Sequence, residues 1–88
     1  VGLKDQSILA HVAAEAREAE IRMSAIEHLT DQAALADRAL GDAATAVRAA
    51  AAKRLEDRAA LERVARGIGK KDKHVYRLAH TRLSKKVG

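Results

Sequence analysis

The feature that most constrains this chain is a spacing. Leu3-Lys4-Asp5-Gln6-Ser7-Ile8-Leu9, Leu29-Thr30-Asp31-Gln32-Ala33-Ala34-Leu35 and Leu55-Glu56-Asp57-Arg58-Ala59-Ala60-Leu61 share one pattern, and each begins 26 residues after the one before. A second set alternates with the first: Ile21 to Leu29, Val47 to Leu55 and Val75 to Leu83. Each of these opens on a β-branched residue and has alanine fifth, a basic-type residue eighth and leucine ninth. The last interval, Leu55 to Leu83, is 28 residues, which places two inserted residues near Gly67-Ile68-Gly69-Lys70-Lys71. Repetition at this period builds one supersecondary unit several times over and buries a continuous core between the copies.

Within the second set the apolar residues fall at i, i+4 and i+8, one face of a helix, with Ser24, Ala50 and Leu78 adding to it at i+3. Asp5, Asp31 and Asp57 stand where an N-cap carboxylate would accept the first free backbone N–H groups of the following helix. Gly41 and Gly67 stand where a left-handed C-cap would close those helices. The pattern predicts six helices, near 5–18, 20–29, 31–40, 45–55, 57–67 and 73–86. A single coiled coil is excluded by the recurring glycines, which interrupt any heptad.

Composition supports helices packed backbone-close. The chain of 88 residues is 48% hydrophobic but only 1% aromatic, with Tyr76 the sole aromatic of the Phe, Tyr and Trp class. Alanine, the best helix former, is abundant, and proline, the worst, is absent. Without cysteine there are no disulfides and no thiolate metal sites. No apolar run approaches the ~20 residues of a membrane span, so a cytoplasmic location is expected.

The segment from Asp42 to Val47-Arg48, followed by Ala51 and Leu55, resembles the aspartate, valine-arginine, alanine, leucine signature of HEAT-type repeats. Asp72 to Val75-Tyr76-Arg77, with Ala79 and Leu83, is a looser copy whose arginine is displaced by one. Ile21-Arg22, Ala25 and Leu29 form a third, with Glu18 or Glu20 in place of the aspartate. The Val75–Ala79 stretch is also similar to the HEAT-like N-terminal region of bacterial proteins whose defining domain has no assigned function. The resemblance spans nearly the whole chain. It implies an all-α, right-handed α–α superhelix of about six antiparallel helices over residues 1–88, in about three repeats. The resemblance also implies a scaffold for protein–protein contact along the concave side, lined by the helices that follow Asp5, Asp31 and Asp57. The register, with Leu3 at the end of one helix type and no second-type helix pattern after Leu83, leads us to expect a fragment of a longer solenoid.

Charge is split along the chain. Residues 1–45 carry four Lys/Arg against eight acids, and residues 46–88 carry thirteen against four. Such asymmetry suits docking to an acidic partner, nucleic acid included. Arg58, Arg63 and Arg66, with Lys70, Lys71 and Lys73 on the following loop, form the candidate contact patch. Two readings follow: a scaffold for a protein partner or another segment of the parent chain, and a nucleic-acid-binding module using the basic half. A plain solvated face accounts for the same residues, and uncapped ends with apolar stripes would allow self-association. Arg22 and Arg48 recur at one repeat position, which favours a structural ladder. Tyr76 occupies that position in the last copy, flanking the core stripe, and is expected to pack against a neighbour.

Nothing in the chain assembles an enzyme. His74 and His80 are six apart, not the three or four that would bring two ligands onto one helical face. His28 aligns with Arg54 and Arg82 and is expected to be exposed. Glu15 and Glu18 read as a wet helix face, and Ser24, at an alanine-like position, as a packed small residue. The Gly67–Lys71 segment lacks the spacing of a phosphate-binding loop. No catalytic residue, metal ligand or cofactor site is expected.

Overall fold

The computed structural model describes residues 5–87, with side chains for 5–84. The chain is all-α. Six helices run in order among the described residues: α1 (Gln6–Glu15), α2 (Ala19–His28), α3 (Gln32–Gly41), α4 (Thr45–Lys53), α5 (Arg58–Ile68) and α6 (Lys73–Val87). Consecutive helices pair as α1 with α2, α3 with α4 and α5 with α6. Between pairs, α3 lies beside α1 and α5, and α4 beside α2 and α6. The odd helices therefore form one layer and the even helices the other.

The helices start where the sequence places their caps. The Asp5 carboxylate accepts from the backbone N–H groups of Ser7 and Ile8, Asp31 from those of Ala33 and Ala34, and Asp57 from that of Ala60. One apolar core runs through all three pairs, and eight of its eighteen buried residues are alanine. Alanine adds little buried area, at roughly 25 cal/mol per Å². It lets neighbouring helices close up so that Ile26, Leu29, Leu35, Leu55, Leu61 and Ile68 interdigitate with no exposed surface to speak of.

The glycines differ from expectation. Gly41 and Gly67 do not cap helices in the left-handed region; each is a helical residue, and Asp42 and Gly69 take the C-cap positions. Gly69 is the one residue at positive φ among those described, at φ 48°. The inserted residues of the third repeat moved the sharp turn two positions along. At Gly67 the reason for glycine is proximity: a Cβ there would come within 2.7 Å of Leu40 Cδ2 on α3. Ser24 also departs from expectation, being exposed, whereas Ala50 and Leu78 at the same position of α4 and α6 pack partly against the core. His28 is exposed, as its alignment with Arg54 and Arg82 suggests.

A glycine series separates these roles. Gly41→Ala, with open space around the new methyl, should raise stability by up to about 0.5–1 kcal/mol through helix propensity. Gly67→Ala should give less, since Leu40 must move aside. Gly69→Ala should cost about 1–3 kcal/mol for its strained backbone. Urea midpoints of the three variants check the order.

Inter-repeat braces and the basic end face

Asp42 and Asp72 are the two buried charged residues among those described. Each lies in the turn before an even helix and accepts from that turn's backbone: Asp42 from the N–H of Ala44, Asp72 from those of His74 and Val75. Each also receives an arginine from the preceding repeat. Arg22 forks onto Asp42, Nε to Oδ2 at 2.8 Å and Nη2 to Oδ1 at 3.0 Å, and its Nη1 donates to the carbonyls of Ala16 and Arg17. Arg48 Nε reaches Asp72 Oδ2 at 2.9 Å, Nη1 donates to the Asp42 carbonyl and Nη2 to Thr45 Oγ1. The recurring arginines are thus a structural ladder. Burial pushes the Asp72 carboxyl up, but the N–H of Val75, the hydrogen bond and charge of Arg48 and the N–H of His74 outweigh it and hold it below the usual carboxylate range.

Two further braces recur at the repeat spacing. Gln6 Oε1 accepts from the N–H groups of Thr30 and Asp31, and Gln32 Oε1 from those of Glu56 and Asp57. Arg54 Nε donates to the Leu29 carbonyl at 3.2 Å and Arg82 Nε to that of Leu55 at 2.7 Å. These carbonyls lie at the ends of α2 and α4, where the helix itself supplies no donor. No buried side-chain nitrogen or oxygen among the described residues lacks a partner.

The candidate residues fall around two grooves: Arg63 and Arg66 line one with Ala59, Glu62 and Gly67, and Lys70 and Lys73 line the other. Arg63 stands on the outer side of the odd layer, paired with Asp37 of α3. Lys71 is tied to the Leu40 carbonyl. Arg58 and Arg66 both pair with Glu62, at 3.3 and 3.8 Å. These three occupy the α5 positions that correspond to Gln6, Ala10 and Ala14 in α1 and to Gln32, Ala36 and Leu40 in α3. In α3 those residues meet the next repeat: Gln32 clamps its turn, Ala36 is fully buried, and Leu40 packs over Gly67. Arg58, Glu62 and Arg66 therefore lie on the end face of the array rather than along its side.

The even layer ends the same way. Ile26 of α2 and Ala52 of α4 are fully buried, while His80 at the same position of α6 is exposed. Tyr76 holds the position of Arg22 and Arg48 and is 40% exposed; its ring stacks on His80 with centroids 5.7 Å apart, instead of packing on a neighbouring helix. Lys70 and Lys73 join Gly69, Tyr76 and Arg77 around an open groove of about 450 Å³. Among the described residues this end exposes Tyr76 and the stems of lysine and arginine side chains in place of an aliphatic stripe, so its groove is apolar in surface and basic in charge. At the α1/α2 end Ile8 and Ile21 are exposed. Sequence reasoning missed Tyr76, Arg77 and His80 as part of this surface. The readable signal was the switch from apolar or clamp residues to charged ones at fixed repeat positions.

Among the described residues no three His, Cys, Asp or Glu side chains come together as a metal site, and no helix is long and apolar enough to cross a membrane.

The ladder predicts a measurable acid sensitivity. Arg48→Ala should lower stability by about 3 kcal/mol, because it leaves Asp72 buried without its cation. The Asp72 carboxyl, depressed in the folded state, contributes stability that is present above its ordinary value of 3.8 and is lost as pH falls through the folded value. Thermal melts from pH 6 down to ~2.5 should therefore show a smaller acid loss in Asp72→Asn than in the parent chain.

Comparison with known proteins finds no family model, no curated protein and no solved structure that matches this chain.

Proposed function

We propose that the chain is a non-catalytic binding module of the HEAT-like type. Its three helix pairs stack as a right-handed α–α superhelix and offer the layer of α1, α3 and α5 to a protein partner, or to another segment of the parent chain. The observation that carries this reading is a shallow trough between α3 and α5, floored by Ala33, Ala36, Ala59 and Ala60 and rimmed by Gln32, Asp57 and Arg63. Small side chains let a partner's backbone come close, and the polar rim fixes its direction.

A division of labour between repeat positions supports the same reading. Positions that cap the helices or hold the repeats together recur in kind: Asp5, Asp31 and Asp57 as caps; Gln6 and Gln32, Arg22 and Arg48, and Arg54 and Arg82 as braces. Exposed positions of the odd layer do not: His11, Asp37 and Arg63 align, as do Glu15, Gly41 and Gly67. A surface that varies on a constant frame is what a repeat scaffold uses to specify a partner. The interior offers no general base in waiting, since both buried carboxylates are saturated by arginine and backbone donors.

A photo-crosslinking amino acid placed at Ala33 or Ala59 tests the proposal. It should trap a discrete protein from cell extract, and Arg63→Glu should reduce the yield several-fold. The same probe at Ala46, exposed on the even layer, should trap none. Equal adducts at all three positions would remove the odd layer as the working surface.

A further inference from the structure

The end face of α5 and α6 differs in character from the stacking faces of the first two helix pairs. Its positions are those that the first two repeats use for stacking, yet here they hold Arg58, Glu62, Arg66, Tyr76, Arg77 and His80. Positive charge on this face is in excess. Glu62 serves two arginines, Asp57 is engaged by the N–H of Ala60 as the cap of α5, and Asp72 is turned inward onto Arg48. Among the described residues Lys70, Lys73 and Arg77 form no ion pair, and no acid lines the groove that they share with Tyr76 and Gly69. Its volume of about 450 Å³ falls in the ~300–1,000 Å³ range of ligand clefts.

The second observation is the aromatic pair. Tyr76 and His80 lie one helical turn apart with ring planes 30° from parallel, an exposed π-surface on the rim of the basic groove. Cations that track phosphates beside a ring on which a base can stack are the two elements of single-strand recognition. We propose that this end face binds single-stranded nucleic acid, with Lys70, Lys73 and Arg77 on successive phosphates and one base stacked on Tyr76. A double helix fits less well, because it hides its base faces from Tyr76. A second copy of the chain, docking its acidic half here, is the competing occupant. Its α1/α2 end presents Ile8 and Ile21, and among the described residues Tyr76 is the one exposed large hydrophobic side chain at this end to meet them.

Fluorescence anisotropy with a labelled single-stranded oligonucleotide, and with an abasic strand of equal phosphate number, tests the proposal. The base-bearing strand should bind with a dissociation constant of about 10–100 μM at ~50 mM salt. Three phosphate contacts predict a weakening of about twentyfold by ~200 mM salt. The abasic strand should bind about tenfold more weakly. Tyr76→Ala should erase the difference between the strands, and Tyr76→Trp should restore it. Lys70→Glu/Lys73→Glu/Arg77→Glu should abolish binding of both. All these side chains are exposed, and circular dichroism confirms that each variant keeps its helices. Equal affinity for the two strands, or binding untouched by the triple reversal, would overturn the proposal. So would no binding at ~50 mM salt, and a concentration-dependent mass in sedimentation that the triple reversal removes would then assign the face to a second copy.

Discussion

The structure depends on two arginine–aspartate bridges that cross the repeat boundaries. Eight of the eighteen core residues are alanine, so each interface buries only a modest apolar area. Apolar contact of that kind is non-directional and leaves the sliding of one helix pair over the next poorly determined. Arg22 on Asp42 and Arg48 on Asp72 supply direction: the Arg22 fork takes both carboxylate oxygens and Arg48 Nε takes one, and each carboxylate is already oriented by backbone N–H groups at the start of the next even helix. The glutamine clamps of Gln6 and Gln32 fix the odd layer in the same way. Apolar packing provides adhesion, and the polar braces provide register.

This division explains why alanine dominates the interior. A guanidinium must span from an even helix to the turn of the next repeat, and Arg22 and Arg48 do so while retaining bonds to backbone carbonyls of their own turn. Larger core side chains would push the helices apart and pull the fork off its carboxylate. The close approach of Leu40 to Gly67 is the same requirement seen in the other layer.

Much of this was legible in the sequence. The period located all six helices to within a few residues, because Asp5, Asp31 and Asp57 are caps whose chemistry is local. The ladder role of Arg22 and Arg48 followed from recurrence alone. Their partners did not, since Asp42 lies 20 residues beyond Arg22 and Asp72 lies 24 beyond Arg48; the two residues inserted in the third turn make half of that difference, and Asp72 also stands two positions closer to its helix than Asp42 does. The left-handed turn expected at Gly67 stands two positions on at Gly69 for the same reason, whereas α3 ends at Asp42 with no left-handed residue at all. Among the candidate site residues, clustering in sequence suggested one patch. In the fold Arg63 pairs with Asp37 of α3 while sharing a groove with Glu62 and Arg66, and Lys70 and Lys73 line a second groove, a division that appears only once the neighbours of α5 are known.

Every brace joins residues of adjacent repeats, and the widest side-chain hydrogen bond, Lys71 to Leu40, spans 31 positions. Helix pairs separated by a repeat do not brace one another through any side-chain hydrogen bond among the described residues. Such a molecule has almost no long-range topology to search. Any one helix pair can form first and template its neighbour, so folding is expected to be fast and to have no unique nucleus. The same locality makes the array fray from its ends inward under thermal or mechanical load. The middle pair, α3 and α4, is the last to lose structure because it alone is held from both sides.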